Sequence, residues 1–128
     1  MNNDSIGSGN TADFTKLKVG NNILDKWGCS EAQKKAIMGL TEDALARFLN
    51  AEGDIALDEE HVIRLGCIVN IHEALRTLFS NQNNVYGFMQ MKNNAPYFNG
   101  RTPLSIISAG ELQALIKVMQ QIQAQLEL

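Results

Sequence analysis

Asn99-Gly100-Arg101-Thr102-Pro103-Leu104-Ser105-Ile106-Ile107-Ser108-Ala109-Gly110 is the stretch around which this 128-residue chain is organised. Gly100 takes positive φ at little cost, Thr102 offers a hydroxyl to cap a helix, and Pro103 suits the first helical position, where its missing N–H would have had no partner. A helix therefore starts at Pro103. It is short, because Gly110 either occupies the left-handed position after a helix end or hands over directly to the next helix. Just ahead, Tyr97 and Phe98 place two aromatics on an irregular loop beside Arg101, with no other arginine nearby.

Upstream, every ordered segment reads as helix. Residues 1–13 are Asn, Ser and Gly with almost nothing to bury, which predicts a disordered tail. Phe14, Leu17 and Val19 are the first anchors, on a short helix ended near Gly20, and Ile23, Leu24 and Trp27 follow at helix spacing before Gly28. Ser30 opens a new helix, with Gln33 placed to complete a capping box. Ala32, Ala36 and Ile37 form its expected inward face, and Lys34 and Lys35 its wet one. Gly39-Leu40 breaks this helix and Thr41 caps the next, which carries Glu42 and Asp43 in its first turn and Leu45, Phe48 and Leu49 as its apolar stripe. Two short helices joined by a tight turn containing Gly meet the requirement of a helix-turn-helix, so residues 14–52 are read as a helix-turn-helix-like domain.

Residues 51–57 make a polar connection, and residues 57–128 form the second unit. Asp58 caps a long helix in which Leu65, Ile68, Ile71, Leu75 and Leu78 repeat, while Val62, Ile63, Val69 and Phe79 widen the apolar face beyond one stripe. His61 and His72 lie on similar faces of it but three turns apart, too far to hold one metal ion. Val85, Phe88, Met89 and Met91 predict a short helix, and Ala95-Pro96 forces extended backbone. From Glu111 to Leu128 the pattern is amphipathic: Leu112, Leu115, Met119, Ile122 and Leu126 share a seam, opposite a face rich in glutamine. The fold class is all-α. Two wide apolar faces, at Val62 to Phe79 and Leu112 to Leu126, lead to the expectation of a two-fold homodimer formed by the second half.

Charge and composition bound the function. The net charge is −3, which argues against a whole-surface affinity for nucleic acid. The bases Lys16, Lys18, Lys26, Lys34, Lys35 and Arg47 gather in the first half, whereas acids outnumber bases from Ala51 onward, so any contact with DNA falls to the first half. Lys34, Lys35, Arg47 and Asn50 are the candidates, although Glu42 and Asp43 put carboxylates where a recognition helix meets phosphate. Cys29 and Cys67 have no second cysteine at metal or redox spacing and are read as free and packed. No apolar run approaches the roughly 18 residues of a membrane span. With neither a basic start nor an apolar run at the N-terminus, no signal peptide and a cytoplasmic location are expected. No grouped acid, base and nucleophile is found, so neither an enzyme nor a cofactor site is expected.

Gly-Arg-Thr-Pro-Leu, followed by a short apolar run, a Gly and an amphipathic helix, resembles the C-terminal toxin-binding region of the Xre/ParS-type antitoxins. The resemblance extends to an Xre-like helix-turn-helix around Ile23 to Asn50 and so covers most of the chain. It implies a protein that covers a RES-domain toxin, an NAD-consuming enzyme, and inhibits it sterically, with possible autoregulation through operator DNA. The residues agree in kind, because an arginine and aromatics on a fixed loop are hot-spot chemistry. Tyr97, Phe98, Arg101, Gln120, Gln123 and Leu126 are the candidate toxin contacts. Two other readings stay open: a dimeric DNA-binding regulator, and an orphan helical adaptor without a toxin.

Overall fold

The long helix that Asp58 opens is the element against which most of the others pack. A computed structural model describes residues 3–52 and 55–127, with side chains from residue 12 onward. Among the described residues there are seven α-helices and no strand: α1 (Asn3–Lys26), α2 (Glu31–Met38), α3 (Glu42–Leu49), α4 (Glu59–Leu78), α5 (Gln82–Gly87), α6 (Pro103–Ile107) and α7 (Leu112–Ala124). Single 3-10 turns follow α5 at Phe88–Gln90 and α7 at Gln125–Glu127. Helix α4 packs against α1, α2, α5 and α7, and α6 lies against α7 and the first 3-10 turn. Among the described residues no helix is long and apolar enough to cross a membrane.

Local chemistry sets the helix starts. The Ser30 hydroxyl accepts from Gln33 N while the Gln33 side chain accepts from Ser30 N, closing the capping box. Thr41 and Thr102 accept from the backbone N–H three residues on, and Pro103 occupies the first turn of α6. At α4 the Asp58 carboxylate accepts from His61 N, and the His61 ring accepts in return from Asp58 N.

Four sequence expectations change in the folded chain. The backbone of residues 3–13, read as a tail, forms the opening turns of α1, because a helix docked further along extends cheaply, one hydrogen bond per added residue; positions 1–2 lie outside the described residues. Gly20 does not end a helix but sits buried inside α1 where α4 crosses it, and a Cβ there would lie 2.6 Å from Leu65 Cδ2. On α2 the buried face is Lys34, Ile37 and Met38, with Ala32 exposed. Lys34 buries its aliphatic stem and pairs its ammonium with Asp25 on α1, which turns the helix away from the face its alanines indicate. Finally, one hydrophobic core runs from Leu17 to Ile122 across the 51–57 connection, where Ile55 is buried and Leu57 N donates to Asp13. Helices α4 and α7 pack on one another in that core, which buries Ile68, Ile71 and Leu75 of α4 and Leu115, Val118 and Ile122 of α7, while Val62 and Ile63 on α4 and Leu126 beyond α7 stay exposed.

Two polar side chains of α4 enter this packing, Arg64 fully and His72 in part. Arg64 on α4 is 6% exposed. Its Nε donates to Glu60, with which the guanidinium is ion-paired, its Nη1 donates to the carbonyls of Ala36 and Ile37, and its Nη2 to the carbonyl of Gly110 at 2.8 Å. His72, also on α4, stacks on Tyr86 with ring centroids 6.0 Å apart, and its Nδ1 is buried without a partner among the described residues. Burial holds the His72 imidazolium below its ordinary 6.5, against the pull of Glu73 and with the help of Arg76 and Lys26.

Both groups give measurable consequences. Arg64→Met takes a donor from three backbone carbonyls and from Glu60, and is expected to cost about 3 kcal/mol, read as a lower urea midpoint at unchanged slope. Because the folded His72 resists protonation, its contribution to stability is fully present above pH 6.5 and is lost as pH falls through its lower folded value. Urea titrations on either side of that pH check this, and His72→Gln should flatten the acid limb.

Candidate functional site

Residues 92–102 form a closed loop whose two ends are tied together. Asn93 N donates to Arg101 O at 3.1 Å, Gly100 N to Asn93 O at 2.7 Å, and Asn99 N to Ala95 O at 2.8 Å. Asn99 and Gly100 have φ of 53° and 85°, two successive left-handed residues that reverse the chain. Phe98 is the loop's anchor at 2% exposure, buried in the common core. Its expected role as a toxin contact is therefore corrected: the ring that the sequence places beside Arg101 points into the protein, and only Tyr97 remains at the surface.

Tyr97 is half-buried and meets Phe98 edge-on at 5.4 Å. Arg101, exposed, donates from Nε to Phe98 O at 2.9 Å and from Nη2 to Tyr97 O at 2.6 Å, with its guanidinium carbon 5.6 Å from the Tyr97 ring centroid. Lys117 on α7 brings a second cation to 5.8 Å from the same centroid. Sequence order does not show this residue as part of the site; it stands a helix away and only the α6–α7 turn brings it back to the loop. Its signal was that it is the one charge on α7, since no Asp or Glu lies between Leu112 and Leu126.

The other expected contacts divide. Gln120 is exposed, three residues beyond Lys117 and so on the same helix face. Gln123 is half-buried. Leu126 is 43% exposed on the terminal 3-10 turn, roughly 13 Å along the helix axis from Lys117 by helical rise, and is not brought to Tyr97. Of the residues read for DNA, Lys34 is 7% exposed and already paired with Asp25, so its expected place on a wet face is corrected. Lys35 is half-exposed, Arg47 reaches Asp43 at 3.7 Å, and Asn50 is the exposed C-cap of α3.

Elsewhere, Thr15, Val19, Val62, Leu65, Gly66 and Val69 line much of a groove of about 360 Å³ between α1 and α4. Both cysteines are free thiols. Burial pushes Cys29 up to about 11, with Lys34 pulling down and Asp25 pushing up, so it is a thiol at neutral pH. Among the described residues no three of His, Cys, Asp and Glu gather as a metal-binding group. Compared with protein-family models, with curated proteins and with solved structures, the chain matches none.

The two neighbouring aromatics should respond unequally to substitution. Phe98→Ala is expected to cost about 3–5 kcal/mol of unfolding free energy, the scale of a core aromatic, and Tyr97→Ala about 1 kcal/mol. Parallel urea titrations of the two variants check the assignment of one ring to the core and the other to the surface.

Proposed function

We propose that this chain is a helical protein-binding module of the antitoxin type, whose partner is a RES-domain toxin and whose inhibition is steric. The observation that carries the reading is Tyr97, half-exposed and bracketed by the cations of Arg101 and Lys117 on a loop that its own hydrogen bonds hold closed. Tyrosine and arginine on a fixed scaffold give an interface contact area without the ordering cost of a mobile loop. A groove with an apolar floor and a thiol held protonated are poor starting points for catalysis on this chain itself.

The pair α2 and α3, joined through Gly39 to Thr41, is read here as a helix-turn-helix kept for packing. Operator binding has weaker support in the geometry. Lys34 is spent on Asp25, Arg47 faces Asp43, and Glu42 and Asp43 occupy the first turn of α3.

Co-expression with the RES-domain protein expected in the neighbouring reading frame tests the proposal. The unaltered chain should restore growth and co-purify with the toxin. A Tyr97→Ala, Lys117→Gln double variant should remain folded by circular dichroism and lose protection; protection equal to the unaltered chain overturns the assignment.

A further inference from the structure

The chain contains four arginines, and three of them hold a carboxylate: Arg47 with Asp43, Arg64 with Glu60 and Arg76 with Glu73. Arg101 is the exception. Among the described residues its partners are two backbone carbonyls of its own loop and the face of Tyr97. A guanidinium carries five N–H donors, so three remain once those two bonds are made, and the two bonds hold the group in place. Lys117 stands across the same ring with no ion pair among the described residues, and the exposed face it shares with Gln113 and Gln120 has no carboxylate. Two cations are thus held near one aromatic in a chain whose net charge is −3, and among the described residues no carboxylate is ion-paired with either.

We propose that the Tyr97–Arg101–Lys117 face takes the carboxylates of an acidic segment of a partner protein, with Arg101 supplying a preorganised fork and Lys117 a second, more mobile charge. This rests on the partner-binding reading above and adds the chemistry of the partner. A protein segment fits better than nucleic acid, because two cations neutralise too few phosphates to overcome the repulsion of an acidic chain.

The test is a titration of the isotope-labelled full chain with blocked hexaglutamate, blocked hexaglutamine and an oligothymidine of six nucleotides, followed by nuclear magnetic resonance. Hexaglutamate should shift the Arg101 Nε–H, the Tyr97 ring and Lys117, and hexaglutamine should not. Lys117→Gln, an exposed change, should weaken the hexaglutamate effect roughly threefold, the scale of one surface charge, and added salt should weaken it further. Equal response to hexaglutamine, shifts centred on the lysines of α1 and α2, indifference to Lys117→Gln, or tighter binding of the oligothymidine at this face each overturn it. Loss of toxin protection with hexaglutamate binding intact removes the toxin as partner and leaves the acidic-segment inference standing. Protection without hexaglutamate binding does the reverse.

Discussion

A single buried guanidinium fixes how the pieces of this molecule stand to one another. Arg64 lies almost out of water, and an ion in that position is tolerated only when its donors are met. They are met by Glu60 on its own helix and by carbonyls at the end of α2 and at the α6–α7 turn. Those carbonyls lie on two segments far apart in the chain, so one side chain on α4 makes three segments agree on a position. Small residues make room for it. A Cβ on Gly39 would lie 2.8 Å from Arg64 Nε, and one on Gly110 would lie 3.4 Å from Ala36 O. His61 adds a second tie from α4 to the same turn, its Nε2 lying 3.0 Å from Gly39 O.

The surface around Tyr97 inherits its geometry from that junction. Helix α7 leaves directly after Gly110, so the carbonyl that Arg64 grips also sets where Lys117 stands. From the other side, Phe98 nails the loop into the core, and Gln90 Nε2 donates to Trp27 O, joining the chain just before the loop to the end of α1. Tyr97 and Arg101 are therefore displayed on a frame braced at both ends, which lowers the ordering cost of meeting a partner.

The cations of the chain fall into those consumed by folding and those left over. Lys34 and Arg64 bury their stems and spend their charge within the molecule, where removing either partner leaves an uncompensated ion. Arg101 and Lys117 keep their charge at the surface around a ring. A surface ion pair contributes little to stability, so their lack of a carboxylate costs the fold little and leaves attraction available to another molecule.

Most of the helix set was legible in the sequence, because its signals act over three or four residues. Ser30 with Gln33, Thr41, Asp58, and Thr102 with Pro103 each open a helix where their chemistry requires one, and Gly100 reverses the loop as its φ permits. What those signals cannot carry is which neighbour a side chain meets across the fold. The buried face of α2 depends on Asp25, the burial of Phe98 on the core beneath the loop, and the company of Tyr97 on Lys117, twenty residues further along. Arg64 shows the same division most sharply. In the sequence it is one more charge on an amphipathic helix, and only long-range packing makes it the residue on which three segments close, since the carbonyls it satisfies lie 27 to 46 positions away.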